Sequence, residues 1–317
     1  MGTLPVFPQR ACAQRGPTRR RLLGNGAVFM AAGAAQPSGS APVVVASKID
    51  TEGALLGSLI ALVLQAHGVP VRTRLQLGPT AILRQALLSG AIDIYPEYTG
   101  NAAQFFHRQG LAAWHNPHAA WQLAHELDAA NGVVWLAPAP ADNGWGIALR
   151  RDLARHVQPP TLAGLAAYLN AGGALRLAAS VEFVESPDAL PCFEHAYGFK
   201  LRQDQILALA GGDTAATMRA ASQGISGINA AMAYTTDGAL DALNLILLDD
   251  PLHAQIVFQP APVVRAAVLQ AYPGTTDWLN HVFARLTTPV LRGLNASIAV
   301  NGEDPGAVAA AYLSRAA

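Results

Sequence analysis

The chain has 317 residues, of which 51% are hydrophobic and 13% are charged, so it is long enough to bury a large core and is too apolar for extensive disorder. The formal net charge is zero, but five arginines lie in the first 35 residues, which contain no acidic residue. Without those five, 16 basic residues face 21 acidic ones. A mildly acidic protein has no basic stripe to neutralise phosphates, so nucleic acid is not an expected partner.

The first 35 residues have the marks of an export signal, with a basic start, an apolar run over residues 22–35 and small residues near its end. The run is too short to span a bilayer stably. The sequence around Arg19, Arg20 and Arg21 also resembles a twin-arginine signal, so both that route and the general secretory route stay open. Either route predicts a periplasmic protein, and residues 36–42 are predicted to be a linker.

The cysteine count limits the covalent chemistry of the exported chain. Cys12 precedes the apolar run and is removed with the signal, which leaves Cys192 as the single cysteine. An intrachain disulfide is therefore excluded, and a buried structural thiol is expected at Cys192.

Strands and helices alternate from residue 43 onward. An apolar run at 43–46 predicts a buried parallel strand, Asp50 or Thr51 is placed to cap a helix that ends near Gly68, and alternation over 71–77 predicts a second strand. A second helix is predicted from the turn at 78–80 to Gly90, followed by a strand into Tyr95. This is a β-α-β-α-β unit.

The segment 105–131 has a helical pattern and holds His107, His115, His118 and His125. A zinc site needs several ligands that converge, and these histidines lack the tight i, i+4 pair typical of such sites. We interpret them as a solvated helix face, and no metal or cofactor is expected.

The alternation begins again after a predicted strand at 133–136. Helices are predicted at 162–169, at 188–197 and after 214, and strands at 175–179, 228–234 and 243–248, while residues 255–264 are predicted to return to the first block. Two such blocks predict an α/β fold with two lobes and a cleft between them. The predicted first lobe contains residues 43–142 and 253–317, and the predicted second lobe contains 143–252.

The stretch from Ala91 to Asn101 places proline, two tyrosines, a carboxylate and a glycine at the end of a strand. Pro96 is predicted to end the ladder because it has no N–H, and Gly100 to supply a position free of Cβ. Together with residues 47–52 and 233–238, the stretch resembles the osmoprotectant-binding proteins of ABC importers, which carry glycine betaine, choline or carnitine. This resemblance extends from about Val43 to the C-terminus.

The resemblance implies a bilobal, two-crossover (type II) periplasmic-binding-protein fold, with mostly parallel sheets, and a monomer that delivers its ligand to a membrane permease without catalysis. It also implies an aromatic box around the ligand's quaternary ammonium. The implied walls are Tyr98, Trp145, Tyr234 and Phe258.

Lys48 matches a basic residue that binds a ligand carboxylate in the family, and Asn101 and Asn143 are predicted to lie near the same site, with Glu97 and Asp50 as candidates to balance charge. The sequence departs from the family pattern in three places: Trp145 and Phe258 replace tyrosines, and Ser186 stands where several relatives have arginine. The alternative for Phe258 is core packing, and for Lys48 a solvated surface position.

Two other function classes are open to a chain of this kind. A binding protein that presents a different amine or zwitterion to a sensor has the same sequence features. An exported enzyme is the second alternative, but the sequence has no Gly-x-Ser-x-Gly elbow, no His-Glu-x-x-His pair and no phosphate-binding glycine loop.

Overall fold

The computed structural model describes residues 41–210 and 214–316. The predicted export signal and most of the predicted linker lie outside these residues. Within the described ranges no helix is both long and apolar enough to cross a bilayer.

Ten strands are present in the described residues: β1 Val43–Lys48, β2 Val71–Gly78, β3 Ile94–Tyr98, β4 Val133–Trp135, β5 Trp145–Arg150, β6 Leu177–Ser180, β7 Ile206–Leu209, β8 Ala230–Tyr234, β9 Leu245–Leu247 and β10 Pro260–Arg265. The α-helices in the same residues are α1 Thr51–Ala66, α2 Thr80–Leu88, α3 Asn101–Phe105, α4 Pro117–Ala129, α5 Arg151–Ala154, α6 Leu162–Asn170, α7 Val181–Glu185, α8 Leu190–Tyr197, α9 Thr214–Gln223, α10 Ala239–Ala242, α11 Ala266–Ala271, α12 Thr275–Phe283, α13 Thr288–Ala299 and α14 Pro305–Ala316.

The strands form two five-stranded sheets with the same plan. The first has the order β2-β1-β3-β10-β4 and the second β7-β6-β8-β5-β9. In each sheet the fourth strand, β10 or β5, is antiparallel to both of its neighbours, while the other pairs are parallel. Four strands of each sheet therefore run in one direction. The predicted α/β bilobal fold is confirmed, and its two sheets are mixed, with one antiparallel strand in each.

The chain passes from the first sheet to the second between Trp135 and Trp145 and returns between Leu247 and Pro260. The antiparallel strands β5 and β10 are thus the strands that follow the two crossovers. We call the two halves the first and second lobe, after their sheets. The exact lobe boundaries given above stay predictions.

Helix α1 is the centre of the first lobe. Asp50 caps it by accepting a hydrogen bond from the backbone N–H of Gly53 at 2.6 Å, as its position predicted. Its leucines and Ile60 pack against β1 and β3 on one side and against α12, α13 and α14 on the other. An apolar helix enclosed in this way needs no polar face, so nearly its whole length is buried.

The prediction that Pro96 ends its strand was wrong. β3 begins at Ile94 and runs to Tyr98, and Pro96 lies opposite Pro262 of β10 in antiparallel register. Alternate pairs of an antiparallel ladder exchange no N–H···O bonds, so two residues without an N–H can face each other there. The strand consequently carries its pattern through to Tyr98.

Gly100 is required for a different reason than a special backbone conformation. Its φ of −62° and ψ of −28° are available to any residue. A Cβ at this position, however, would lie 2.7 Å from the ring of Phe258 and 2.9 Å from the backbone oxygen of Val257. Glycine therefore permits the return crossover to pack directly on the loop after β3.

The histidine-rich segment is broken into α3, a 3-10 turn at Ala112–His115 and α4. His107, His115 and His118 are exposed, and His125 is half-buried with its ring nitrogen 3.1 Å from the backbone oxygen of Trp135. The described residues contain no group of three or more potential metal ligands.

A buried ion pair joins α2 to α4. The guanidinium of Arg84 donates to both carboxylate oxygens of Asp128 at 2.7 Å, and the indole N–H of Trp135 also donates to Asp128 at 2.8 Å. Asp128 is fully buried. Because removal of one partner leaves a buried charge uncompensated, loss of either side chain is expected to lower the stability of the first lobe.

We expect Asp128→Asn to lower the free energy of unfolding by about 3–5 kcal/mol, because Arg84 then keeps its charge without a counter-ion. Urea unfolding at neutral pH measures the loss. Asp204→Asn is the matched control, since the Arg202–Asp204 pair is solvent-exposed on both sides and is expected to contribute nothing measurable. Equal losses in the two variants would contradict the role assigned to Asp128.

Candidate functional site

Tyr98 ends β3, next to Lys48 at the end of the neighbouring strand β1. The Lys48 ammonium lies 4.6 Å from the centroid of the Tyr98 ring, in the position of a cation–π contact. Both residues are less than a tenth exposed. The predicted proximity of these two residues is therefore seen in the structure, but Lys48 is a buried side chain and not a solvated one.

The carboxylate of Glu97 accepts hydrogen bonds from the Lys48 ammonium and from three further donors. Its Oε1 accepts from Lys48 Nζ at 2.5 Å, from the backbone N–H of Tyr98 at 2.7 Å and from Asn101 Nδ2 at 2.7 Å. Its Oε2 accepts from the hydroxyl of Tyr95 at 3.0 Å. The carboxylate is wholly inaccessible to solvent, and these four donors compensate its charge.

A second buried carboxylate, Glu52 in the first turn of α1, lies on the hydroxyl side of Tyr98. Its Oε1 accepts from the Tyr98 hydroxyl at 2.8 Å and from Asn143 Nδ2 at 3.2 Å, while its Oε2 accepts from Asn295 Nδ2 at 2.7 Å. Asn295 also donates to the backbone oxygen of Thr236. Glu52 thus connects α1, β3, the first crossover, α13 and the loop after β8.

Burial raises the pKa of the Glu52 carboxyl from 4.5 to about 7, against the opposing effect of hydrogen bonds from Thr236, Tyr98 and Asn295. Burial, together with the negative charges of Glu52 and Asp50, raises the pKa of Tyr98 well above its usual value. Tyr98 therefore keeps its proton and donates a hydrogen bond to Glu52. A phenol that donates to a carboxylate has a more electron-rich ring, which favours contact with a cation.

Three aromatic residues meet on the side of the second lobe. Trp145 at the start of β5 lies directly opposite Tyr234 at the end of β8, so their side chains share a face of the sheet. The Trp145 ring also packs against Phe258 of the return crossover, with centroids 6.1 Å apart, and edge-on against Phe183 at 6.2 Å. Burial raises the pKa of the Tyr234 hydroxyl to about 12.

The two crossovers lie side by side and join the aromatic cluster to Glu52. The backbone N–H of Asn143 donates to the oxygen of Phe258 at 2.9 Å, and the N–H of Phe258 donates to Asp142 at 2.7 Å. The Asn143 side chain accepts from the Thr236 hydroxyl at 2.9 Å while it donates to Glu52. Asn143 therefore ties Glu52 of the first lobe to the loop that follows Tyr234.

All seven predicted ligand-binding residues belong to this connected region, although their contact with a ligand stays a prediction: Lys48, Tyr98, Asn101, Asn143, Trp145, Tyr234 and Phe258. Sequence reasoning missed Glu52, Asn295 and Thr236 as members of the network. One signal for Glu52 was present, since it is the one charged residue in the sequence of α1 and a helix so apolar buries its first turn.

The region is closed in this structure. Lys48, Glu52 and Tyr98 are each less than a tenth exposed, and Trp145, Tyr234 and Phe258 are half-buried. Two surface cavities of about 330 and 240 Å³ lie beside it, and the smaller one reaches Trp145, but neither is lined by Lys48, Tyr98 or Tyr234. The aromatic cluster is thus more accessible to solvent than Lys48, Glu52 and Tyr98 are.

The raised pKa of Glu52 predicts a pH dependence of stability. Since the folded state binds this proton more tightly than the unfolded chain, the contribution is complete below pH 4.5 and is lost as pH rises through about 7. The upper bound of this contribution is about 3 kcal/mol.

We expect urea unfolding between pH 5 and 8 to show a free energy of unfolding that declines with pH in the wild type and declines less in Glu52→Gln. Glu126→Gln, on the exposed side of α4, is the control and should follow the wild type. Parallel curves for the Glu52 variant and the wild type would contradict the assignment.

The sequence and structure were compared with known proteins. Residues 41–315 match the family model described as the substrate-binding domain of the ABC-type glycine betaine transport system. The chain is 52% identical over 296 residues to the glycine betaine-binding protein YehZ of Escherichia coli K12, covering 93% of this chain and 97% of that protein. It is 28% identical to a glycine-betaine-binding protein of Pseudomonas aeruginosa, over 85% of this chain and 86% of that one.

Solved structures give the same relationship. Apo YehZ from Escherichia coli superposes with a TM-score of 0.76 at 55% identity, covering 87% of this chain and 99% of that structure. A glycine betaine/carnitine/choline ABC transporter structure superposes with a TM-score of 0.74 at 18% identity, covering 86% and 98%, which supports the fold alone. The bilobal fold, the connected aromatic and carboxylate residues and the match over residues 41–315 lead to one conclusion: the chain belongs to the family of substrate-binding domains of ABC-type glycine betaine transport systems.

Proposed function

We propose that this chain is a periplasmic binding protein that closes on a quaternary ammonium osmoprotectant, such as glycine betaine or choline, and delivers it to an ABC permease. The observation that carries the proposal is the meeting of Trp145, Tyr234 and Phe258 at the crossovers, joined to Tyr98 through Glu52 and Asn143. A quaternary ammonium has no N–H to donate, so electron-rich rings are the groups that recognise it. The 52%-identical relative, named a glycine betaine-binding protein, supports the ligand class.

The Lys48–Tyr98 contact supports the same chemistry from within the chain. An ammonium already lies against this ring, whose hydroxyl donates to a carboxylate. Tyr98 is thus a ring that accepts a cation in this protein. The quaternary end of the ligand is assigned to the rings of Tyr98, Trp145, Tyr234 and Phe258, which approach from both lobes and from the crossovers.

Asn101 and Asn143 are assigned roles beside the ligand, and Lys48 is assigned to the end that receives a carboxylate. Ser186 ends α7, and its hydroxyl accepts from the backbone N–H of Asp188, so it supplies no positive charge there. The carboxylate of a zwitterionic ligand consequently depends on Lys48 more than it would in a protein with arginine at position 186.

The proposal includes the following organisation: an export signal at 1–35, a linker at 36–42, a first lobe of 43–142 and 253–317, and a second lobe of 143–252. The protein acts as a monomer in the periplasm and carries out no reaction on its ligand. Recognition needs lobe closure, and the network around Glu52 and Asn143 supplies the hydrogen bonds that hold the lobes in the closed state.

Calorimetric titration with glycine betaine, choline, carnitine and proline betaine tests the ligand class. We expect Tyr234→Ala to weaken binding about tenfold, because a partly desolvated cation–π contact contributes roughly 1–2 kcal/mol. Tyr168→Ala is the matched control, as Tyr168 is a half-buried tyrosine of the same lobe whose hydroxyl donates to the backbone oxygen of Ala174, and it should bind as the wild type does.

Two results would contradict the proposal. One is the lack of any heat of binding with all four compounds at millimolar concentration. The other is an equal loss of affinity in Tyr234→Ala and Tyr168→Ala, since a general loss of stability in the second lobe would then explain both. Thermal unfolding of each variant, recorded beside the titration, separates these causes.

A further inference from the structure

The charge of Lys48 is already compensated inside the protein. Its ammonium lies 2.5 Å from Oε1 of Glu97, and the two side chains are 7% and 0% exposed. The Lys200–Glu194 pair gives the contrast, because Lys200 is 79% exposed. A ligand carboxylate that approaches Lys48 therefore meets an ammonium that is buried against its counter-ion, whereas the Lys200 side chain is mostly in solvent.

Further hydrogen bonds hold the Glu97 carboxylate in place. Apart from Lys48, its oxygens accept from the backbone N–H of Tyr98, from Asn101 and from the Tyr95 hydroxyl. These bonds hold the carboxylate within the first lobe whether Lys48 is present or not. If Lys48 moved to a ligand, Glu97 would remain as a buried anion without its cation, which is costly. Lys48 is thus shared between Glu97 and any ligand carboxylate.

We propose that Glu97 is a specificity-determining residue of this site: it competes with the carboxylate of a zwitterionic ligand for Lys48 and so makes recognition depend on the quaternary ammonium end. The inference rests on the proposed function, whose carboxylate end it deepens. The Glu97 carboxylate is itself buried and does not touch the ligand. It acts through Lys48. It therefore lowers the affinity for ligands that carry a carboxylate and leaves the affinity for ligands without one unchanged.

Glu97→Gln tests this directly, because the amide oxygen can still accept from Lys48, Tyr98 and Asn101 while the amide N–H can donate to Tyr95. The variant removes the negative charge and little else. We expect its Kd for glycine betaine to fall at least about tenfold, since the ligand carboxylate then becomes the counter-ion of Lys48. The Kd for choline, which has no carboxylate, should stay the same or rise.

The double variant with Lys48→Met and Glu97→Gln has no unpaired charge, so it remains informative if Glu97→Gln alone does not fold. Both affinities are expected to fall as Lys48 no longer contacts Tyr98, but the ratio of betaine to choline affinity should lie within about threefold of the wild type. Asp128→Asn is the control for loss of a buried ion pair in the same lobe, and it should leave this ratio unchanged.

The outcomes separate this inference from the proposed function. If the wild type binds the ligands but Glu97→Gln shifts betaine and choline equally, Glu97 does not determine specificity. The same conclusion follows if the double variant loses betaine affinity by tenfold or more relative to choline, because Lys48 would then serve the carboxylate in full despite Glu97. A wild type that binds neither ligand overturns the proposed function, and this inference with it.

Discussion

The burial of two carboxylates on either side of Tyr98 constrains the rest of this structure. An ionised carboxylate in the interior is tolerated only when hydrogen bonds and counter-charge replace its water. Glu97 obtains both from β1, β3 and α3, whereas Glu52 obtains neutral hydrogen-bond donors from β3, the first crossover and α13, and its pKa is raised to about 7. Segments far apart in the sequence must meet at one ring, so the same interactions that stabilise the fold also form the site.

The position of the site follows from the common plan of the two sheets. Each has one antiparallel strand, and that strand is the first one along the chain after a crossover. Trp145 begins β5, and Phe258 lies just before β10, so each aromatic residue stands where a crossover enters its sheet. The crossovers are hydrogen-bonded to one another at Asn143 and Phe258. A rotation of the lobes about these segments therefore changes the distance between Tyr98 and the aromatic residues of the second lobe.

Hydrophobic periodicity was sufficient to predict most strands and helices and the two-lobed fold, and residue type narrowed the N-cap of α1 to Asp50 or Thr51, since these signals are local. The predictions failed where contact with a segment distant in the sequence determines the local structure. Pro96 stays within β3 because Pro262 faces it, and Gly100 is needed because Phe258 packs on it. Glu52 and Asn295 are 243 positions apart, and no local pattern indicates that they share a hydrogen bond.

The rings of Trp145 and Phe258 pack against each other with centroids 6.1 Å apart. Neither residue carries a hydroxyl, so a closed cluster needs no additional acceptor at Phe258, whose ring lies against Gly100. Tryptophan presents the largest face for a cation and is the strongest cation–π partner among the aromatic residues. Phe258 has no polar side-chain group that needs a partner, whereas Trp145 keeps an indole N–H, which is buried. The carboxylates lie on the Tyr98 side, where Glu52 and Glu97 order the hydrogen-bond donors around them.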